Sequence, residues 1–189
     1  MSNSDPMDSE STNNTGASDA EQRAHGASEP SWACLKIHSA RPDWVELSLP
    51  CNMEAVDQLN AFLVWHFAQL KEEVRESVRT AFRELLLNAV EWGGNSDVTK
   101  HVRVAILLGR RAVVCRIADP GSGFHMKNLN HAAISNPDGK PFDHMAVREQ
   151  MGLRPGGFGL TIVRSSIDEL IFNDAGNEVV FLKYIDAGA

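Results

Sequence analysis

Three cysteines in 189 residues are too few and too scattered for a disulfide framework. Cys34, Cys51 and Cys115 are odd in number and lie in apolar or strand-like surroundings, which fits a reducing compartment. No apolar run approaches the roughly 20 residues of a membrane span. The opening stretch, MSNSDPMDSESTNN, has no apolar signal core. A soluble, cytoplasmic protein without membrane contact is expected. Basic charge is also short, with 18 Lys and Arg against 25 Asp and Glu, net −7. That leaves no field of the kind nucleic-acid binding uses, so no direct nucleic-acid partner is expected. No internal repeat is present. The length suits one domain with a core large enough to need neither disulfides nor a structural metal.

Charge and composition divide the chain near residue 30. Residues 1–30 hold six acids against Arg23, a balance of −5, which leaves −2 for the rest. They are rich in Ser, Asn, Asp, Gly and Ala and cannot bury enough surface to offset ordering entropy. A disordered acidic tail is expected over 1–30, and one folded domain over 31–189.

Within that domain, CLKIHS and WVELSLP alternate and are bounded by turn residues, so they are predicted strands. Met53, Val56, Leu59, Phe62, Leu63, Phe67 and Leu70 recur at helical spacing behind Asn52, a candidate N-cap. A second helix is predicted from about Glu72 to Trp92, ended by Gly93-Gly94-Asn95 as a glycine C-cap. HVRVAILLG and AVVCRIAD form a hairpin with one buried face. Residues 124–156 are polar, proline-punctuated and aperiodic, which in a compact domain marks a functional lid. A short helix over LTIVRSSIDEL and a last hairpin around Ala175-Gly176-Asn177 complete the order β-β-α-α-β-β-lid-α-β-β. Helices and hairpins segregated in this way predict a two-layer α/β (α+β) sandwich. Its mixed, largely antiparallel sheet is covered by helices on one face.

Three segments carry chemistry. In ELLLNAVEWGG, Glu84 and Asn88 share one edge of a helix and can meet one ligand together. In ADPGSGF, a strand ends at Asp119, whose carboxylate can accept from an exocyclic amine. Gly121 and Gly123 there admit close backbone approach to a ring. In RPGGFGLTIVRSSIDE, glycines lead into a helix N-terminus, where unpaired amides and the helix dipole attract anions. No Lys-Ser or Lys-Thr pair follows those glycines and no strand immediately precedes them, which excludes a P-loop and a dinucleotide fingerprint. Taken singly, each segment has a plain alternative: a solvated helix face, an ordinary strand-ending turn, a linker.

Together, and in this order, they closely resemble the GHKL ATPases. That superfamily joins type II gyrases, heat-shock chaperones, histidine kinases and mismatch-repair proteins through the Bergerat nucleotide fold. The resemblance covers roughly residues 43–186. Glu84 and Asn88 match its N box, Asp119, Gly121 and Gly123 its G1 box, and Gly157, Gly159 and Leu160 its G2 box. The short chain and the GGFGLTIVRSSIDEL…GNEVVFLKYI ending resemble the anti-sigma-factor serine/threonine kinase branch, the partner-switching kinases.

The resemblance implies ATP and Mg²⁺, with Asn88 as metal ligand and Glu84 as base. It implies that Asp119 receives the adenine amine with Gly123 beneath the base. Amides near Gly157, Phe158 and Gly159 would hold phosphate, Leu160 follows them in the box, and Thr161 would add a polar contact. Of the lid cations Lys127, Lys140, Arg148 and Arg154, Arg154 lies nearest the glycines and is the one singled out for phosphate. The implied partners are a sigma factor or other regulator and an anti-anti-sigma (STAS-type) protein. A homodimer through the sheet side is also implied. Trp92 stands where many relatives carry histidine, and no catalytic role is assigned to it.

Other readings are a non-catalytic ATP-dependent binding module and an orphan histidine-kinase catalytic domain. The latter would need His66 as acceptor, but no acid follows that residue and packing explains it better. A zinc site from His125, His131, His144 and Asp143 matches no compact ligand spacing.

Overall fold

The computed structural model describes residues 34–124, 129–136, 138, 140–152 and 156–185. The expected acidic tail and Arg154 lie outside the described residues, as do parts of the lid.

Six strands form one sheet in the order β1-β2-β3-β4-β6-β5. They are β1 (Lys36–Ala40), β2 (Trp44–Pro50), β3 (His101–Leu108), β4 (Ala112–Ala118), β5 (Glu169–Phe172) and β6 (Glu178–Tyr184). Every described pairing is antiparallel. The alternation in β2, β3 and β4 places Leu47, Val104, Ile117 and Val179 in one row across the sheet, and Val45, Ile106, Cys115 and Phe181 in the next. All eight side chains are buried.

The helices that cover this face are α1 (Met53–His66) and α2 (Glu72–Asn88), joined later by α4 (Gly159–Ser166). Asn52 caps α1 as expected, its side chain accepting the Ala55 amide at 2.8 Å. The α2 stripe buries Val78, Ala81, Phe82, Leu85 and Leu86. Phe82 meets Phe181 edge-on, with ring centroids 6.2 Å apart, which ties helix to sheet at the centre of the core. The two-layer sandwich is the architecture expected.

The opposite sheet face carries Trp44, Leu107, Val114 and Leu182 in a single row. No described helix is long and apolar enough to cross a membrane.

Two departures from expectation bear on the site. The end of α2 is not a glycine C-cap. The helix widens into a π turn over Ala89–Gly93, closed by Gly94 N to Ala89 O at 2.8 Å. The left-handed residues that follow are Asn95 and Ser96, whereas Gly94 keeps φ −88°. The glycines are required by crowding instead. A Cβ on Gly93 would collide with the Asp119 carboxylate, and one on Gly94 with the Cys51 thiol. The lid, for its part, contains ordered structure: a 3₁₀ turn at Ala133–Ser135 and α3 (Asp143–Gln150).

Candidate functional site

A cavity of about 420 Å³ opens where the π turn, the end of β4, the lid and the start of α4 meet. Its wall draws on all three sequence segments: Asn88 from the first, Asp119, Gly121 and Gly123 from the second, and Gly157, Gly159 and Leu160 from the third.

The second segment is built around Asp119. Its amide donates to the Asn177 carbonyl at 2.9 Å, and its Oδ1 accepts the Gly121 amide at 2.8 Å. Asn177 returns a bond from Nδ2 to Gly121 O at 3.0 Å. Burial pushes the Asp119 carboxyl above its ordinary value, with the Gly121 amide opposing. Gly121 leaves no room for a side chain, because a Cβ would come within 2.7 Å of Gly93 O. Gly123 adopts φ +84° against the Ala175 carbonyl, so its glycine is demanded by the β5–β6 turn as well as by the cavity.

In the third segment, α4 begins at Gly159 without a side-chain cap from Phe158. Its first-turn amides therefore lack an intrahelical partner. Two partners hold the preceding glycines: Ala133 N donates to Gly157 O at 2.9 Å, and His144 bonds Gly156 O at 3.0 Å. A carbonyl can only accept, so His144 Nε2 carries the proton and Nδ1 accepts from Asn136 Nδ2 at 2.8 Å. Asn136 Oδ1 in turn accepts the His144 amide at 2.8 Å. Both ring nitrogens of His144 are thus engaged inside the lid.

Three expected residues stand outside the cavity wall. Glu84 places Oε2 3.0 Å from where a Gly159 Cβ would be, and its Oε1 lies 3.5 Å from Arg83. The Phe158 ring packs edge-on against His144, centroids 4.7 Å apart, and against Phe142 at 6.3 Å. Thr161 is exposed on α4. His66 stacks on Phe62 with its Nε2 buried, and burial lowers its pKa. That is the environment of a packing histidine.

The wall also contains residues that sequence reasoning passed over or left undecided. Trp92 lies beside His131, ring centroids 5.6 Å apart. Burial, then the neighbouring Arg148 guanidinium, lowers the His131 pKa. Arg148 is only 7% exposed and donates from Nη1 to the His131 carbonyl at 3.1 Å. Phe172 and Asn177 close the β5–β6 side. Trp92 had one available signal, its position four residues beyond Asn88. Arg148 had only its place among the four lid cations, because the aperiodic lid hid the helix that carries it.

Comparison with known proteins agrees with the family resemblance. A family model described as a histidine kinase-like ATPase domain matches residues 49–183. The chain is similar to a protein of Oceanobacillus iheyensis named serine-protein kinase RsbW, at 24% identity over 146 residues. The match spans 76% of this chain and 87% of that relative.

Proposed function

The chain belongs to the histidine kinase-like ATPase domain family, and from that premise we propose that it is an ATP-dependent serine/threonine protein kinase of the partner-switching type. In this reading it is a cytoplasmic anti-sigma regulator. It holds a sigma factor or another regulator in one state and phosphorylates a STAS-type anti-anti-sigma partner in another. The observation that carries the reading is the single cavity shared by Asn88, Asp119 and the Gly157–Leu160 loop. The name of the similar O. iheyensis protein supports the choice of serine chemistry. The reading includes self-association through the sheet face that carries Trp44, Leu107, Val114 and Leu182.

The roles are those the family resemblance implies for these residues. Asp119 accepts the adenine amine, which selects ATP over GTP because guanine presents a carbonyl there. Gly121 and Gly123 let the base approach the backbone. The amides around Gly157, Phe158 and Gly159, with the α4 dipole, take the phosphates. Leu160 closes the wall beneath them, and Thr161 adds a polar contact from the exposed side of α4. Arg154, which directly precedes the glycine loop in the sequence, is kept as a proposed phosphate contact.

Among the described residues no group of three or more His, Cys, Asp or Glu is placed to hold a metal. Mg²⁺ fits that donor set, because it keeps several waters and takes phosphate oxygens, needing only the Asn88 amide oxygen from the protein. Bound there, it would neutralise phosphate charge. Glu84 receives the proton of the acceptor hydroxyl as its oxygen bonds to the γ-phosphorus and the bond to the β-phosphate oxygen breaks, releasing ADP.

The test is transfer of labelled phosphate from ATP to a STAS-type partner. Glu84→Gln is expected to lower the rate by roughly 10²–10⁴-fold. Transfer at the unaltered rate removes Glu84 as base. The position of Glu84 beside Arg83 and outside the wall favours a second reading, in which ATP only shapes a partner surface. ATP binding without transfer to any partner decides for it.

A further inference from the structure

The turn between β5 and β6 is tied to the Asp119 loop by more than a hairpin requires. Asn173 closes that turn: its Oδ1 accepts the amides of Gly176, Asn177 and Glu178 at 2.8, 3.1 and 3.2 Å. An acceptor oxygen is all that such a turn asks of its side chain. The Asn173 Nδ2 is surplus to it, and donates to Asn177 Oδ1 at 2.8 Å. Asn177 Nδ2 then donates to Gly121 O at 3.0 Å. The direction of this relay is fixed from both ends. Backbone amides can only donate, so Asn173 must give its oxygen to the turn and its nitrogen to Asn177. The Gly121 carbonyl can only accept, so Asn177 must present its nitrogen there.

The far end of the relay is the Asp119 loop. Asn177 holds both ends of it, its carbonyl taking the Asp119 amide at 2.9 Å and its side chain the Gly121 carbonyl. Between them the Gly121 amide engages Asp119 Oδ1 at 2.8 Å, which leaves Oδ2 for a donor in the cavity. Turn and loop also touch where no side chain fits, a Gly123 Cβ running into Ala175 O and a Gly176 Cβ into Phe124 O. Asn177, Asp119 and Gly121 line the cavity, whereas Asn173 is exposed and outside its wall.

Resting on the reading of the cavity as an ATP site, we propose that Asn173 is a remote positioning residue for base selection. Through Asn177 it fixes the Gly121 peptide, and with it the direction in which the Asp119 carboxylate meets the amino group of adenine. The Asn173 nitrogen, not its oxygen, does this. Asn173→Asp therefore keeps the acceptor that closes the turn and removes only the relay. A carboxylate at that position draws the Asn177 nitrogen toward itself, and the Asn177 oxygen is left facing Gly121 O, two acceptors that repel.

Calorimetry on the full chain in Mg²⁺, with ATP and with purine riboside triphosphate, tests this. The second compound has the same sugar and phosphates but no amino group. Wild type is expected to prefer ATP about tenfold or more, the usual worth of a hydrogen bond to a charged group. Asn173→Asp and Asn177→Asp are each expected to cut that preference about fivefold or more, the scale of coupling within one hydrogen-bond network. Binding of purine riboside triphosphate is expected to change less than about twofold, and it certifies that each variant folds. An undiminished preference in Asn173→Asp overturns the proposal. So does a loss of both compounds alike, which marks Asn173 as a turn brace only. If Asn177→Asp does not fold, Asn173→Asp, which alters no residue of the wall, decides alone. Wild-type protein that binds neither compound, or both alike, defeats the ATP-site reading itself, whereas a wild-type preference that the variants keep defeats only the relay.

Discussion

Replacing Gly93 by alanine tests how the first and second segments depend on each other. The φ of Gly93 is not in the left-handed region, so backbone strain is not the issue. A methyl there would overlap the Cβ, Cγ and Oδ1 of Asp119, the three nearest heavy atoms. Ordinary carbon–oxygen contact needs about 3.3 Å, so either the π turn or the carboxylate has to move by roughly 1 Å. Overpacking of this kind costs about 1–3 kcal/mol. If the carboxylate yields, it also loses the 2.8 Å bond from the Gly121 amide, a charge-assisted contact of about 1.5–3 kcal/mol. The expected destabilisation in urea unfolding is therefore about 1–3 kcal/mol if the π turn yields and about 2.5–6 kcal/mol if the carboxylate does. ATP affinity measured by calorimetry should fall at least tenfold, because Asp119 is displaced. Asp119→Gly removes all three colliding atoms. Adding Gly93→Ala to it should then cost less than about 1 kcal/mol further, and the difference is the coupling energy of the pair. Equal costs of Gly93→Ala in the two backgrounds would refute the packing argument, and an unchanged ATP dissociation constant in the single variant would refute the role of Asp119.

Asp119 also sets a pH dependence. Burial raises its pKa in the fold, so this carboxyl contributes stability that is complete below its unfolded value and lost as pH rises through its folded value. Nucleotide affinity runs the other way, since the amine needs the ionised acceptor. Calorimetry across pH should show ATP binding weakening by up to about tenfold per unit as pH falls below the folded value, a component absent in Asp119→Asn. In the core, Phe82→Ala removes the edge-on partner of Phe181 from a fully buried site. Denaturant unfolding should show a loss of about 3–5 kcal/mol, and a loss under about 1 kcal/mol would mean the helix–sheet contact is not where the core is concentrated.

The elements built from strong periodicity were legible from sequence. The alternation of Val102, Val104 and Ile106 fixed both the hairpin and its buried face, because a one-residue slip in register would turn all three outward. The stripe of α2 and the Asn52 cap were legible for the same local reason. Two features were not. The Gly93-Gly94 pair looked like a helix stop, since glycine after an apolar stripe usually supplies the left-handed residue. Its actual cause is long-range crowding by Asp119 and Cys51, which no window of neighbouring residues contains. Likewise α3 has only His144 and Arg148 buried, both polar side chains, so it carries no apolar stripe to announce it. What holds it is a set of hydrogen bonds to Asn136, Gly156 and His131.

The same crowding explains why polar groups sit at the shoulder of an apolar helix. A regular α-helix through Gly93 would be set by its own i→i−4 bonds. The π turn instead closes Gly94 N onto Ala89 O and brings the Gly93 backbone onto the Asp119 carboxylate and Gly121. Asn88 is the last residue before that widening. One edge of the helix end therefore carries Asn88 toward the glycine loop of α4, while the next turn serves as the floor under Asp119. The helix end and the strand end share a boundary with no spare volume, so neither the π turn nor the Asp119 carboxylate can shift without the other. Such a boundary sets the Asp119 carboxylate against the same helix end that carries the Asn88 amide, the two groups proposed above to receive base and metal. Among the described residues, the lid meets the glycine loop through the His144 bond to Gly156 O, the Ala133 amide on Gly157 O and the His144 ring edge on Phe158.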